Sequence, residues 1–195
     1  MTSSLSIITL GHVHTDALTS LSPYFTKLEQ LVLDVHPRSV LADKRAELNR
    51  AVDAGSSDWL LLVREPETID DALAKEIAAA VTDAKAWGFR IRTQPLYRGK
   101  PLLLGDRAGE LRLFHRRHFL RRGEPAVQGT VIRLANALQA ITFPSAEAHR
   151  EHLAKEAAPH SLLRRVLLFL RDAAGSRTLD ANTLRYIWIE AGFDR

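Results

Sequence analysis

Apolar positions fall into short runs separated by longer stretches of helical spacing. Leu5-Ser-Ile-Ile-Thr-Leu10 is an apolar, β-branched run closed by Gly11, which predicts a first strand. Gly11-His-Val-His-Thr15 reads as a loop, with Thr15 or Asp16 able to cap a helix through about residue 25. A second strand is expected over residues 29–35, with Asp34 near its end and His36-Pro37 behind it. Pro37 fixes a turn there and biases His36 towards extended backbone. Ser39 or Asp43 can start a helix through Ala54, since Leu41, Ala46, Leu48, Ala51 and Val52 fall on one stripe. Gly55-Ser-Ser57 stops it.

Asp58-Trp-Leu-Leu-Leu-Val-Arg-Glu-Pro-Glu67 is the stretch around which the rest is arranged. Residues 59–63 are too few for a core helix and read as a strand buried on both faces. Pro66 cannot donate to a ladder, so the strand must stop before it. Strand, helix, strand, helix, strand in this order calls for parallel pairing with right-handed crossovers. Ligands of such sheets bind beyond the carboxyl ends of the strands, where Arg64, Glu65 and Glu67 are expected. A helix over 69–87 follows, with Asp70 and Asp71 in its first turn, and Gly88 ends it. Extended structure resumes over 89–93. Arg98-Gly-Lys-Pro101 is a turn, 102–104 a short run, 110–115 an alternating strand and 127–134 a further extended run, all suggesting mixed or antiparallel pairing. Three helical segments, 145–157, 161–174 and 180–191, are separated by Pro159 and Gly175.

Composition narrows the class without selecting a function. The 195 residues fit one α/β domain that needs no disulfide, and zero cysteines exclude thiolate metal sites and a cysteine nucleophile. They are compatible with a reducing cytosol. The N-terminus lacks a basic region before a long apolar run, so no signal peptide is expected, and no apolar stretch approaches bilayer-spanning length. A net charge of +4 permits an anionic partner.

The order of elements and several strings resemble a family 2 glycosyltransferase of the small bacterial type associated with lipopolysaccharide core sugars. The strings are Ser6-Ile-Ile-Thr9, Leu31-Val-Leu-Asp34, Leu48-Asn-Arg-Ala51 before Asp58-Trp-Leu-Leu-Leu, Trp87-Gly-Phe-Arg-Ile91, Tyr97-Arg-Gly-Lys100 and Leu111-Arg-Leu-Phe-His-Arg116. The resemblance runs from Leu5 to about Leu170. It implies a GT-A fold, a Rossmann-like mixed sheet binding a nucleoside diphosphate sugar across strand ends. Residues 1–144 would form that domain and 145–195 a helical extension packed on it. Asp34 would contact the base, and Arg64 or Arg98 would offset diphosphate charge.

Departures from the family pattern fall at positions of chemistry. Members carry Asp-x-Asp after the anchor strand, where carboxylates and the sugar diphosphate complete the oxygen shell of Mg²⁺ or Mn²⁺. Here Arg64 and Pro66 occupy those positions and Glu67 is retained; a guanidinium cannot ligate a cation but can bind a diphosphate bidentately. Where the family has an acidic catalytic base this chain reads Val127-Gln-Gly129, and a histidine that often follows gives way to Thr142-Phe143. Gly11-His-Val-His-Thr15 replaces an Asn-Glu stretch. Two readings follow. One is a family member that has lost ordinary metal-dependent transfer and keeps the fold for binding or scaffolding, with no metal cofactor. The other is an active transferase with displaced residues, for which Asp106 and Glu110, beside Gly105 and Gly109, are the nearest acidic candidates for a general base. Mg²⁺ or Mn²⁺ is expected only if Glu65 and Glu67 form a working site, since Asp58 lies too early in the strand.

Each candidate also has a plainer role: Asp34 as a turn former, Glu65 and Glu67 as solvated loop charges, His149 and His152 as surface residues. His12 and His14 could approach a phosphate but lack a third zinc ligand. The run from Arg112 to Arg122 mixes cations with aromatics as single-strand nucleic-acid surfaces do, yet a strand and turn with core-facing aromatics is the stronger expectation, so nucleic acid is disfavoured. The 161–174 helix, apolar nearly all round, must be covered by the domain, by a second subunit in a homodimer or by peripheral membrane contact. The expected location is the cytoplasm, with any membrane association on its cytoplasmic face.

Overall fold

The computed structural model describes residues 4–11, 15–34, 44–83, 85–102, 108–122, 125–143, 147 and 181–190. Contacts divide the chain into two units, Met1–Thr93 with Arg107–Leu138, and Gln94–Asp106 with Gln139–Arg195. The protein is a mixed α/β fold with a Rossmann-like parallel half. Its sheet orders the strands β2 (Lys27–Leu33), β1 (Ser4–Leu10), β3 (Trp59–Arg64), β7 (Glu110–His115), β5 (Gly88–Tyr97), β8 (Val131–Phe143) and β4 (Glu67–Thr68), with β6 (Lys100–Pro101) paired to β5.

In the first unit, β1 (Ser4–Leu10) lies between β2 (Lys27–Leu33) and β3 (Trp59–Arg64), parallel to both. The register sets Leu10 beside Leu33 on one side and beside Arg64 on the other, so three carboxyl ends finish at one level. Helix α1 (Thr15–Leu21) connects β1 to β2, and α2 (Arg45–Ala54) connects β2 to β3. The two helices cover opposite faces. Ala17 and Leu21 of α1, with Leu73, Ala74 and Ile77 of α3 (Asp71–Asp83), pack on Leu5, Ile7, Leu61 and Val63. Leu48, Ala51 and Val52 of α2 pack on Ile8, Leu10, Leu60 and Leu62. Strand β3 is thus buried on both faces, as its unbroken apolar run requires.

Beyond β3 the pairing turns antiparallel. Strand β7 (Glu110–His115) sets His115, Phe114 and Leu113 against Trp59, Leu60 and Leu61. Strand β5 (Gly88–Tyr97) pairs β7 on its other side, with a register shift between Phe89 and Arg90. The two-residue β4 (Glu67–Thr68) follows a turn at Glu65-Pro66, whose peptide bond is cis. The last strand, β8 (Val131–Phe143), is long, and its Ala135 and Asn136 N–H groups donate to the Glu76 carboxylate at 2.7 and 2.9 Å.

In the second unit, Leu96 and Tyr97 pair with Pro101 and Lys100 of β6 (Lys100–Pro101) across an Arg98-Gly99 turn. Both turn residues have positive φ, 54° and 73°, the pattern of a type I′ hairpin. Tyr97, Leu102 and Ile189 are buried together, with Tyr186 edge-on to Tyr97 at 5.3 Å. Tyr186 and Ile189 belong to α4 (Ala181–Glu190). Among the described residues no helix is long and apolar enough to cross a membrane.

Several boundaries differ from the sequence expectation. Helix α1 ends at Leu21 rather than near residue 25, because Ser22-Pro23 follows it. Strand β2 runs 27–33 rather than 29–35, since its parallel register with β1 sets its length. Helix α3 starts at Asp71, with Asp70 capping it by accepting from the Leu73 N–H at 2.8 Å, and it ends at Asp83, short of Trp87. Strand β5 continues four residues past 93, and β8 covers 131–143 where an extended run was expected over 127–134. His12, His14, Leu41, Asp106, His149, His152, the expected 161–174 helix and, apart from residue 147, the expected 145–157 helix lie outside the described residues.

Gly129 is where packing leaves no choice of residue. It has φ 110°, and a Cβ there would stand 2.6 Å from the Trp87 ring carbon Cδ1. Gly129→Ala is therefore expected to cost about 1–3 kcal/mol. At this chain length that corresponds to a melting-point drop of about 2–12 °C in a thermal denaturation scan; an unchanged melting point would contradict the packing described.

Candidate functional site

The site forms where β1, β2 and β3 end. Backbone bonds join the three ends: the Gly11 N–H donates to Leu33 O at 3.1 Å, and the Glu65 N–H to Leu10 O at 3.4 Å. Asp34 therefore follows β2 and Arg64 closes β3 with β1 between them, about 10 Å apart by strand spacing. The chain leaves β1 towards β2 and leaves β3 towards the opposite side of the sheet. This divergence is the switch point at which open α/β sheets bind ligands. Asp34 and Glu65 are exposed there.

Behind this rim sits a four-residue charge network. Extending the β3/β7 register brings Arg64 opposite Glu110, and their side chains form a two-pronged ion pair at 2.9 and 3.3 Å. Arg112, two residues along β7, is 1% exposed and donates to Glu67 at 2.8 Å. The Arg112 guanidinium also reaches Glu110 at 3.3 Å. Glu67 is buried as well. One of its oxygens accepts from Arg112 and from the Thr93 hydroxyl at 3.1 Å, and the other accepts the Arg64 backbone N–H at 2.8 Å. Burial pulls the Arg112 pKa below its ordinary value; Glu67 opposes that, Arg64 adds to it and Glu110 opposes it. The guanidinium remains charged regardless. Three guanidinium nitrogens, Arg112 Nε and Nη1 and Arg64 Nε, are buried without a hydrogen-bond acceptor.

The sequence placed Glu67 among solvated loop charges at the mouth of the crevice. Its position is instead internal, because Arg112 demands a counter-charge. Arg112 itself was grouped with the basic run from 112 to 122; the signal that could have separated it is its place between Leu111 and Leu113 in a strand buried from Leu111 to Phe114. Other members of that run are engaged elsewhere. Phe114 and Phe119 stack at 4.6 Å inside the core, Arg116 and Arg117 approach Asp58 at 3.8 and 3.9 Å, and Arg121 pairs with Asp53 at 2.6 Å. Arg98 is exposed at its hairpin turn in the second unit. Glu110, expected as a weak candidate base, is bound to two guanidiniums. Thr142 and Phe143 end β8.

A divalent cation does not fit these donors. Glu67 already neutralises Arg112, Arg64 stands in the cluster as a cation, and Glu65 alone supplies no oxygen shell. Among the described residues no three His, Asp or Glu side chains converge to hold a metal.

No family model matches the chain, and no curated protein matches it. Among solved structures it is similar to S. aureus TarS 1–349, at 16% identity and TM-score 0.45, covering 96% of this chain and 78% of that one. A second S. aureus TarS structure aligns at 13% identity and TM-score 0.43, over 90% of this chain and 44% of that one. TarS 1–349 in complex with UDP aligns at 12% identity and TM-score 0.44, over 87% of this chain and 71% of that one.

Removing one member of a buried ion pair leaves an uncompensated charge, so Glu67→Ala is expected to lose about 3–5 kcal/mol of stability in urea denaturation. Replacing both partners, Glu67→Leu with Arg112→Met, should recover most of it. A single variant as stable as the parent would show that the pair is not buried as described.

Proposed function

We propose that this chain is a nucleotide-sugar-binding protein of family 2 glycosyltransferase type in which guanidinium groups take the place of the divalent cation and ordinary metal-dependent transfer has been lost. The observation that carries the reading is the engagement of Glu67. The acidic residue retained from the family's metal motif is spent on Arg112, Thr93 and the Arg64 amide, while Arg64 itself stands where a metal-binding carboxylate is expected. A diphosphate needs positive charge within hydrogen-bonding reach, and a guanidinium supplies it with two parallel donors. Asp34, exposed beyond β2, is positioned to accept from a nucleotide base or ribose. The site proposed is built from the first unit alone: Asp34, Arg64 and Arg112, with Glu65 at its rim.

The loss of transfer is supported by a second position. The family's catalytic acid corresponds to Gly129, where any side chain would meet the Trp87 ring and the backbone is left-handed. An acid cannot be restored there without moving Trp87. Electrostatic stabilisation of a leaving diphosphate by Arg64 can persist without such a base, but deprotonation of an acceptor hydroxyl cannot.

Thermal-shift and calorimetric titrations with UDP, GDP, CDP and their sugars, each with and without Mn²⁺, test this reading. Binding of at least one nucleotide independent of Mn²⁺ is expected, with stabilisation of about 2.7 kcal/mol at a hundred times Kd. Arg64→Ala should weaken it about tenfold or more. No sugar transfer should accompany it. A shift that requires Mn²⁺, or none with any nucleotide, would contradict the proposal.

A further inference from the structure

We infer that the Glu110 carboxylate is an internal stand-in for a phosphoryl group, occupying the anion site between Arg64 and Arg112 until a phosphate-bearing ligand displaces it. The site builds on the nucleotide reading but is defined by its own geometry. Glu110 places one oxygen 2.9 Å from Arg64 and 3.3 Å from Arg112, and the other 3.3 Å from Arg64. One carboxylate spanning two guanidiniums is the arrangement a phosphoryl group makes with an arginine pair.

The two carboxylates of the network are unequal. Glu67 is held by three donors in the interior, whereas Glu110 is 48% exposed and, among the described residues, its oxygens meet the two guanidiniums. Glu110 opens β7 directly after Gly109, so its side chain can rotate towards water without breaking the ladder at Leu113 to His115. Arg112 cannot follow it. At 1% exposure it stays paired to Glu67, with Nε and Nη1 still lacking acceptors. Arg64 is 24% exposed and likewise keeps an unpartnered Nε. A phosphoryl group has more acceptor oxygens than a carboxylate and a larger charge, so it can replace Glu110 and satisfy donors that Glu110 leaves unmet. Glu110 thereby supplies Arg64 with its counter-charge, while Glu67 keeps Arg112, and raises the threshold for weak anions.

The test titrates inorganic pyrophosphate, UDP, GDP and CDP by calorimetry into the full chain and three variants. Glu110→Gln removes the competing charge while keeping the shape, and is expected to bind pyrophosphate about tenfold tighter than the parent. Arg64→Gln should bind it about tenfold more weakly. Asp58→Asn removes one charge just before the opposite end of β3, about 20 Å away and beyond the screening length, and should leave affinity unchanged. Equal affinity for the parent and Glu110→Gln, or an equal gain in Asp58→Asn, overturns the inference. Pyrophosphate binding that follows the expected pattern while no nucleoside diphosphate binds better than pyrophosphate keeps the anion site and discards the nucleotide reading. Nucleotide binding that ignores both Glu110 and Arg64 overturns the inference and leaves nucleotide recognition to other residues.

Discussion

A guanidinium in the protein interior cannot be left alone, and Arg112 imposes that requirement on everything around it. Stripping water from an ion costs several kcal/mol unless a counter-charge and hydrogen bonds replace it. Strand β7 passes between β3 and β5, so Arg112 is enclosed and its partner must be carried inward. The chain does this by turning at Glu65-Pro66 directly after β3 and laying down β4, which returns Glu67 beneath the strand end. Glu67 then binds Thr93 of β5 and the Arg64 amide, so one carboxylate ties together three strands and the turn that follows β3.

The same arrangement sets what the strand ends can bind. A sheet with three parallel ends at one level presents a crevice, and the charge lining it decides between a metal–diphosphate complex and a diphosphate alone. Here the acid that could hold a cation is used to keep an arginine buried, and a second arginine stands at the rim. Elsewhere in the unit, the Trp87 ring lies over Gly129 and stacks on His118 at 3.9 Å, filling space that a longer side chain at position 129 would need.

Much of this was legible in the residues because local pattern and tertiary demand agree. The 59–63 run is apolar without alternation, and burial on both faces is the arrangement that satisfies it; the 110–115 strand also stands where expected. That Asp34 and Arg64 stand at carboxyl ends on one level follows from the parallel pairing that the strand–helix–strand order calls for. What was illegible depends on partners distant in sequence. The extension of β8 past residue 134 relies on Glu76 in helix α3, 59 and 60 positions before the two N–H groups of the strand that it accepts. The internal position of Glu67 relies on Arg112, and nothing near Glu67 in the chain announces it.

The proposed function has guanidiniums, not a metal, meeting a diphosphate at the end of β3. A crystal structure grown with a nucleoside diphosphate and Mn²⁺, with anomalous data collected at the manganese edge, tests it most directly. Diphosphate oxygens are expected against Arg64 and Arg112, with Glu67 still paired to Arg112 and no anomalous peak beside Glu65 or Glu67. A manganese peak bridging those carboxylates and the diphosphate would contradict it.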